Sequence, residues 1–110
     1  MTLYQVSINH RALEEISKGI KTIEGRIKKG IFALINENDF IDFYNQHKSL
    51  RVKILNIIEY NTIQQYLQEE DLNKIIPNKS YSDITQIYNT YYPPIKREGY
   101  KFLAIKIILL

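Results

Sequence analysis

Cysteine is missing from all 110 residues. That absence excludes a disulfide framework and a thiolate metal centre, and it fits a reducing compartment. Histidine is nearly as scarce: His10 and His47 stand too far apart in sequence to suggest a paired-imidazole metal site. No metal and no cofactor are therefore expected. Long apolar runs are lacking too, and Met1-Thr2-Leu3-Tyr4-Gln5 shows no basic stretch leading into an apolar one. Neither a membrane span nor a secretory leader is predicted, and the expectation is a soluble intracellular protein, cytoplasmic by default. No internal repeat, low-complexity tract or interdomain linker interrupts the chain, and its length suits one domain over residues 1–110 with a modest core. Acidic residues fall slightly short of basic ones, giving a net charge of +3 and a pI near 9.0. This is a mild preference for a polyanionic partner, RNA among them.

What is present is hydrophobic periodicity. Leu3, Gln5 and Ser7 alternate with Tyr4, Val6 and Ile8, which predicts a half-buried first strand. Residues 10–18 place Leu13 and Ile16 on one side and Glu14, Glu15 and Lys18 largely on the other, so a short helix follows, closed by Gly19. Gly30-Ile31-Phe32-Ala33-Leu34-Ile35, within residues 28–36, reads as a buried helix or a strand, with a short strand or irregular segment preferred, and Asn36-Glu37-Asn38-Asp39 is a turn signal. Phe40–Tyr44 and Leu50–Ile58 read as an antiparallel hairpin, with Leu50, Val52, Ile54 and Ile58 on one face and Leu55 and Ile57 making the end buried on both sides. Asn61-Thr62-Ile63-Gln64 has a capping-box pattern opening a helix to about Leu67. Ser80-Tyr81-Ser82-Asp83 opens another, with an apolar stripe of Ile84, Ile87, Tyr88 and Tyr91, and Pro93 and Pro94 stop it. Residues 102–109 alternate as a mostly buried last strand. Strands and helices in this order give an α+β class.

The chemistry concentrates in Lys21-Thr22-Ile23-Glu24-Gly25-Arg26. If this piece is extended, period two puts Thr22, Glu24 and Arg26 on one face with Lys21 at its mouth. Two readings stand side by side. One is a surface ion-pair cluster worth about 0–1 kcal/mol. The other is a site in which Lys21, its pKa lowered by burial and by Arg26, acts as base or clamp while Glu24 accepts from a substrate amine. Lys28 and Lys29 in this region, with Arg51 and Lys53 in another, would contact phosphate if the two regions meet in a basic rim. Tyr60 and Tyr92 are the candidate stacking rings, although most tyrosines serve as packing residues. Glu69, Glu70 and Asp71 at a helix boundary are either solvated helix charges or the source of an acid.

The order of these pieces resembles the ASCH domain family, whose fold is PUA-like. Lys-x-x-Glu-x-Arg after a short helix ending in Gly is similar to the family's signature. Asn38-Asp39-Phe40-Ile41-Asp42-Phe43 stands where the family has Gly-Asp-x-Ile-x-Phe, and Asn is a common substitute for Gly where φ is positive. Asn56-Ile57-Ile58-Glu59-Tyr60 before a helix, and the tail from Glu70-Asp71-Leu72 to Ala104-Ile105, follow in the family's order. The resemblance implies a small β-barrel of about five or six mostly antiparallel strands with packed helices, binding RNA or a modified nucleoside. It also raises a hydrolase alternative, a ribonuclease or an N4-acetylcytidine amidohydrolase. That amidase type uses a lysine base, a threonine three residues on, and a distant glutamate. Lys21 matches the lysine and Glu69 or Glu70 the acid, but position 24 is Glu, and Thr22 is one residue away rather than three. Glu24 would then have to activate water. A protein-interaction module using the tyrosine-rich surface is the third reading.

Overall fold

Why the chain turns where it does is read from its caps. In the computed structural model, which describes residues 1–110, strand β1 (Leu3–Ser7) leads into helix α1 (His10–Ser17). The Asn9 side chain accepts a hydrogen bond from the Ala12 N–H at 2.8 Å and starts that helix. Gly19, at φ +73°, ends it as expected, because the left-handed conformation satisfies the last carbonyls without a Cβ clash. Strand β2 (Ile23–Ile27) follows, then a single 3₁₀ turn over Gly30–Ala33 with no buried residue, neither the short strand preferred for this segment nor the buried helix. Strands β3 (Phe40–Tyr44) and β4 (Ser49–Tyr60) form the expected antiparallel hairpin. Asn38, at φ +72°, takes the positive-φ role inferred for it.

Helices α2 (Ile63–Glu69), α3 (Leu72–Ile75), α4 (Tyr81–Tyr91) and α5 (Pro94–Arg97) come next, and β5 (Phe102–Leu109) closes the order. The α2 cap sits one residue later than its sequence pattern implied. Thr62 accepts from the Gln65 N–H at 3.0 Å, while the Gln65 side chain accepts from the Asn61 N–H at 2.9 Å. Ser80 caps α4 by accepting from Asp83 at 3.1 Å, and Pro94 begins α5 rather than merely stopping α4. No helix is long and apolar enough to cross a membrane.

The five strands make one sheet in the order β1-β3-β4-β5-β2, parallel between β1 and β3 and antiparallel elsewhere. This is an α+β fold whose mostly antiparallel sheet curls into a half-barrel with β1 and β2 as its two edges. A bulge in β4 contributes to the irregularity: Ile54 pairs with Ile107 and Asn56 with Lys106, so Leu55 has no partner. Leu55 is therefore 51% exposed instead of buried as the alternation implied. Beyond it, Ile57 packs on one core and Ile58 on the other.

Both faces of β5 are buried. Leu103, Ile105 and Ile107 enter a core beneath α1 with Leu13, Ile41 and Phe43. Phe102 and Ala104 enter a second core with Tyr66, Ile75 and Ile84 from the later helices. The Tyr66 ring lies 4.7 Å from Phe102 and 5.6 Å from Tyr88 by centroids, and the Tyr66 and Tyr88 hydroxyls are 3.0 Å apart. Those hydroxyls press on β2 at Gly25. A Cβ there would stand 2.5 Å from the Tyr66 hydroxyl oxygen and 2.6 Å from that of Tyr88. Gly25→Ala is accordingly expected to destabilise the fold by about 1–3 kcal/mol through overpacking. Urea denaturation checks this, and a midpoint equal to the parent's would contradict the close approach.

Candidate functional site

Strand β2 has a period of two, so its alternate residues part company. Ile23 and Gly25 face the aromatic core, while Glu24 and Arg26 face the gap that remains between the sheet's edges. That gap is a cleft of about 340 Å³. Ser7 and Ile8 line it from the end of β1, Arg11 from α1, and Tyr88, Tyr91 and Tyr92 from the last turn of α4 and its cap. At its floor Glu24, only 7% exposed, stands between two cations. Its Oε1 lies 3.2 Å from Lys21 Nζ, and its Oε2 accepts from Arg26 Nε at 3.0 Å and lies 2.9 Å from Arg26 Nη2.

Lys21 is buried as deeply, and its ammonium has a partner for every proton. It donates to the Ile23 and Ile75 carbonyls, each at 2.7 Å, and faces Glu24 with the third. The lysine thus ties α3 to β2 beneath the cleft. Arg26 is arranged differently. Two of its nitrogens engage Glu24, the Phe32 ring lies 5.1 Å from its guanidinium carbon, and the Tyr92 hydroxyl is a further partner. Its side chain is 22% exposed.

Burial shifts the charges. It pushes the Lys21 ammonium below its ordinary value, opposed by Glu24 and reinforced by Arg11 rather than by Arg26 as expected. Burial alone would raise the Glu24 carboxyl, but Lys21 and Arg26 together hold it below its ordinary range. Burial also raises the Tyr88 and Tyr92 hydroxyls, which keeps them protonated as potential donors. No cluster of three or more His, Asp or Glu side chains is placed to hold a metal ion.

The other candidates lie elsewhere. Thr22 precedes the strand and is fixed through its backbone, donating to Lys74 and accepting from Ile107, each at 3.0 Å, so it does not share the cleft. Glu70 and Glu69 border a separate hollow with Lys74 and Lys106; Glu70 accepts from the Tyr60 hydroxyl and lies 3.3 Å from Lys106. Tyr60 is 9% exposed and packs on Tyr66 with its hydroxyl turned to Glu70, so its ring is a core element and not a platform for a base. Its hydroxyl is pushed up to about 12 by burial and by Glu70. Tyr92 does reach the cleft, half-buried, with its ring edge-on to Phe102 at 5.8 Å.

The two basic regions do not merge into one rim. Lys28 pairs with Glu59 and Arg51 with Asp42, and eight residues of β4, roughly 26 Å of extended chain, separate Glu59 from Arg51. Lys53 lies near Arg51, opposite Phe40 and Ile108. Lys29 instead stacks over Tyr100. Sequence reasoning missed Asn9 and Arg11, which line the cleft, and Phe32, whose ring lies against Arg26; their only local signals were a helix cap and an ambiguous apolar segment, and folding brings them to these places.

A buried carboxylate between two cations makes stability depend on pH with a definite sign. The unfolded Glu24 titrates near 4.5 and the folded one lower. Its contribution is therefore complete above about pH 4.5 and lost as pH falls through the folded value. Glu24→Gln leaves Lys21 buried without its counter-charge and is expected to cost about 3–5 kcal/mol at pH 7. The same substitution should flatten the acid limb of stability between pH 5 and the folded value, as chemical denaturation across pH would show.

The fold has counterparts among solved structures. No curated protein matches the chain. Among solved structures, the crystal structure of the archaeal hypothetical protein PH0355 superposes with a TM-score of 0.90 at 25% identity, covering 99% of this chain and all of that one. The solution structure of protein PF0455 from Pyrococcus furiosus gives 0.81 at 29% identity, covering 99% and 98%. The ASCH domain pattern spans residues 6–109, from the end of β1 to the end of β5, and so takes in every element that builds the cleft. The chain therefore belongs to the ASCH domain family.

Proposed function

We propose that the cleft binds RNA or a modified nucleoside, with Arg26 as the recognising cation and Lys21 and Glu24 as its buried support. The observation that carries the reading is the difference between the two cations. Lys21 has no donor left for a ligand, whereas Arg26, held by Glu24 and beside the Tyr92 hydroxyl, presents a 22% exposed side chain with more donors than those partners take, at the floor of a tyrosine-walled cleft. A planar guanidinium suits the carbonyl and ring-nitrogen acceptors of a base, and tyrosine rings suit its faces. The cleft's volume falls within the range of about 300–1,000 Å³ usual for small-molecule sites. ASCH and PUA-like domains are associated with RNA binding, which favours the same class of ligand.

Hydrolysis of an N-acylated cytidine or of RNA has less support. Glu24 occupies the position three residues after the lysine, carries no hydroxyl, and has both oxygens ion-paired. Glu70, the candidate acid, does not line the cleft. Cytidine, N4-acetylcytidine and a short single-stranded RNA, followed for both binding and product, form the test. Arg26→Lys keeps a charge beside Glu24 but removes the planar fork, and should weaken binding about tenfold or more, the worth of one hydrogen bond to a charged group. Unchanged affinity would remove Arg26 from the site. Turnover abolished by Lys21→Ala would overturn binding as the primary activity.

A further inference from the structure

Away from the cleft, a second hollow of about 440 Å³ lies between the start of α2 and the α5–β5 turn, and the cations that line it have no carboxylate partner. Of the fifteen Lys and Arg side chains, seven are ion-paired with carboxylates, including the Lys28 and Arg51 that sequence reasoning assigned to phosphate. Of the remaining eight, Arg97 and Lys101 line this hollow and Lys29 lies over the ring of Tyr100 at its side, all three held by neutral groups. Arg97 Nη1 donates to the Asn89 side-chain oxygen at 2.8 Å, Lys101 donates to that of Asn61, and Lys29 lies 5.3 Å from the centroid of the Tyr100 ring. An amide oxygen or a ring face positions a cation without neutralising it. Glu98 is the one carboxylate lining the hollow, and it forms no ion pair.

The hollow and the cleft lie on opposite faces at the end of β2, Arg26 lining the cleft and Ile27 the hollow, and Tyr92 at the cleft packs on Phe102 at the hollow. The turn from α4 to α5 separates them, with exposed tyrosines on either side: Tyr91 at the cleft and Tyr100 at the hollow. We infer that the ligand is single-stranded RNA, one base entering the cleft while the neighbouring phosphates cross the α4–α5 turn to Lys29, Arg97 and Lys101. The inference rests on the cleft reading above and extends it from a nucleoside to a strand. A free nucleoside has no phosphate for these cations, and a paired duplex would not offer unstacked bases to Tyr91 and Tyr100.

The test compares cytidine with a single-stranded RNA octamer across a range of salt concentrations, using the full chain and its Lys29→Gln/Arg97→Gln/Lys101→Gln variant. The octamer's affinity should fall at least tenfold in the variant. Its log–log salt slope should become shallower by about 2, three contacts at about 0.7 each for a single strand. Cytidine affinity should not change. A control variant, Lys28→Gln/Arg51→Gln, removes cations already paired and should leave the octamer's affinity as it was. An octamer affinity and slope equal to the parent's in the triple variant, or an equal loss in the control, would overturn the inference. Should the triple variant fail to fold, Arg97→Gln and Lys101→Gln singly carry the same comparison, each with a slope change of about 0.7. Arg26→Lys separates the two readings: if it leaves both ligands unaffected while the triple variant weakens the octamer, the cleft assignment fails and the phosphate path stands.

Discussion

Glu24 is the constraint on which the rest depends. A carboxylate this deeply buried is costly to desolvate and persists as an anion only because Lys21 and Arg26 flank it. Lys21 in turn is tolerable only because two backbone carbonyls and Glu24 satisfy its three protons. One of those carbonyls belongs to Ile75 in α3 and the other to Ile23 in β2. Satisfying the charge therefore fixes where a helix sits on the sheet, and removing Glu24 would leave the buried Lys21 ammonium without its counter-charge.

The same five-residue strand carries the opposite requirement on its other face. Gly25, between the two charged residues, admits the Tyr66 and Tyr88 hydroxyls to within contact of the backbone. Tyr88 also lines the cleft, so its position couples the aromatic core to the charged floor. Strand alternation makes this possible: a single period-two segment separates a polar floor from an apolar packing surface by the thickness of one backbone. Beside it β5, buried on both faces, holds β2 in register from Ile23–Lys106 to Ile27–Phe102.

Charge is unevenly available over the surface. A count of basic residues treats Lys28, Lys29, Arg51 and Lys101 alike, yet carboxylates partner two of them and a ring or an amide positions the others. For an anionic ligand that distinction matters more than net charge, because a paired cation must first exchange its partner. At the hollow the fold holds Arg97, Lys101 and Lys29 in place by amide oxygens and a ring face without neutralising them, whereas the cleft's Arg26 is held by the carboxylate of Glu24.

Much was legible in the sequence alone. Period two marked β1, the hairpin and β5, cap chemistry placed α1 and α4, and Asn38 announced a positive φ; these are local effects of sterics and hydrogen bonding. Lys21, Glu24 and Arg26 could be grouped because six residues of extended chain keep them close. Three-dimensional packing decided the rest. It put Tyr60 in a core and Tyr91 at the cleft, and it bulged β4 at Leu55 so that an apparently buried leucine faces water. It also brought Glu70 to Tyr60 and Lys106 rather than to Glu24. Those outcomes depend on partners distant in sequence, and alternation or capping carries no record of which element will cover which face.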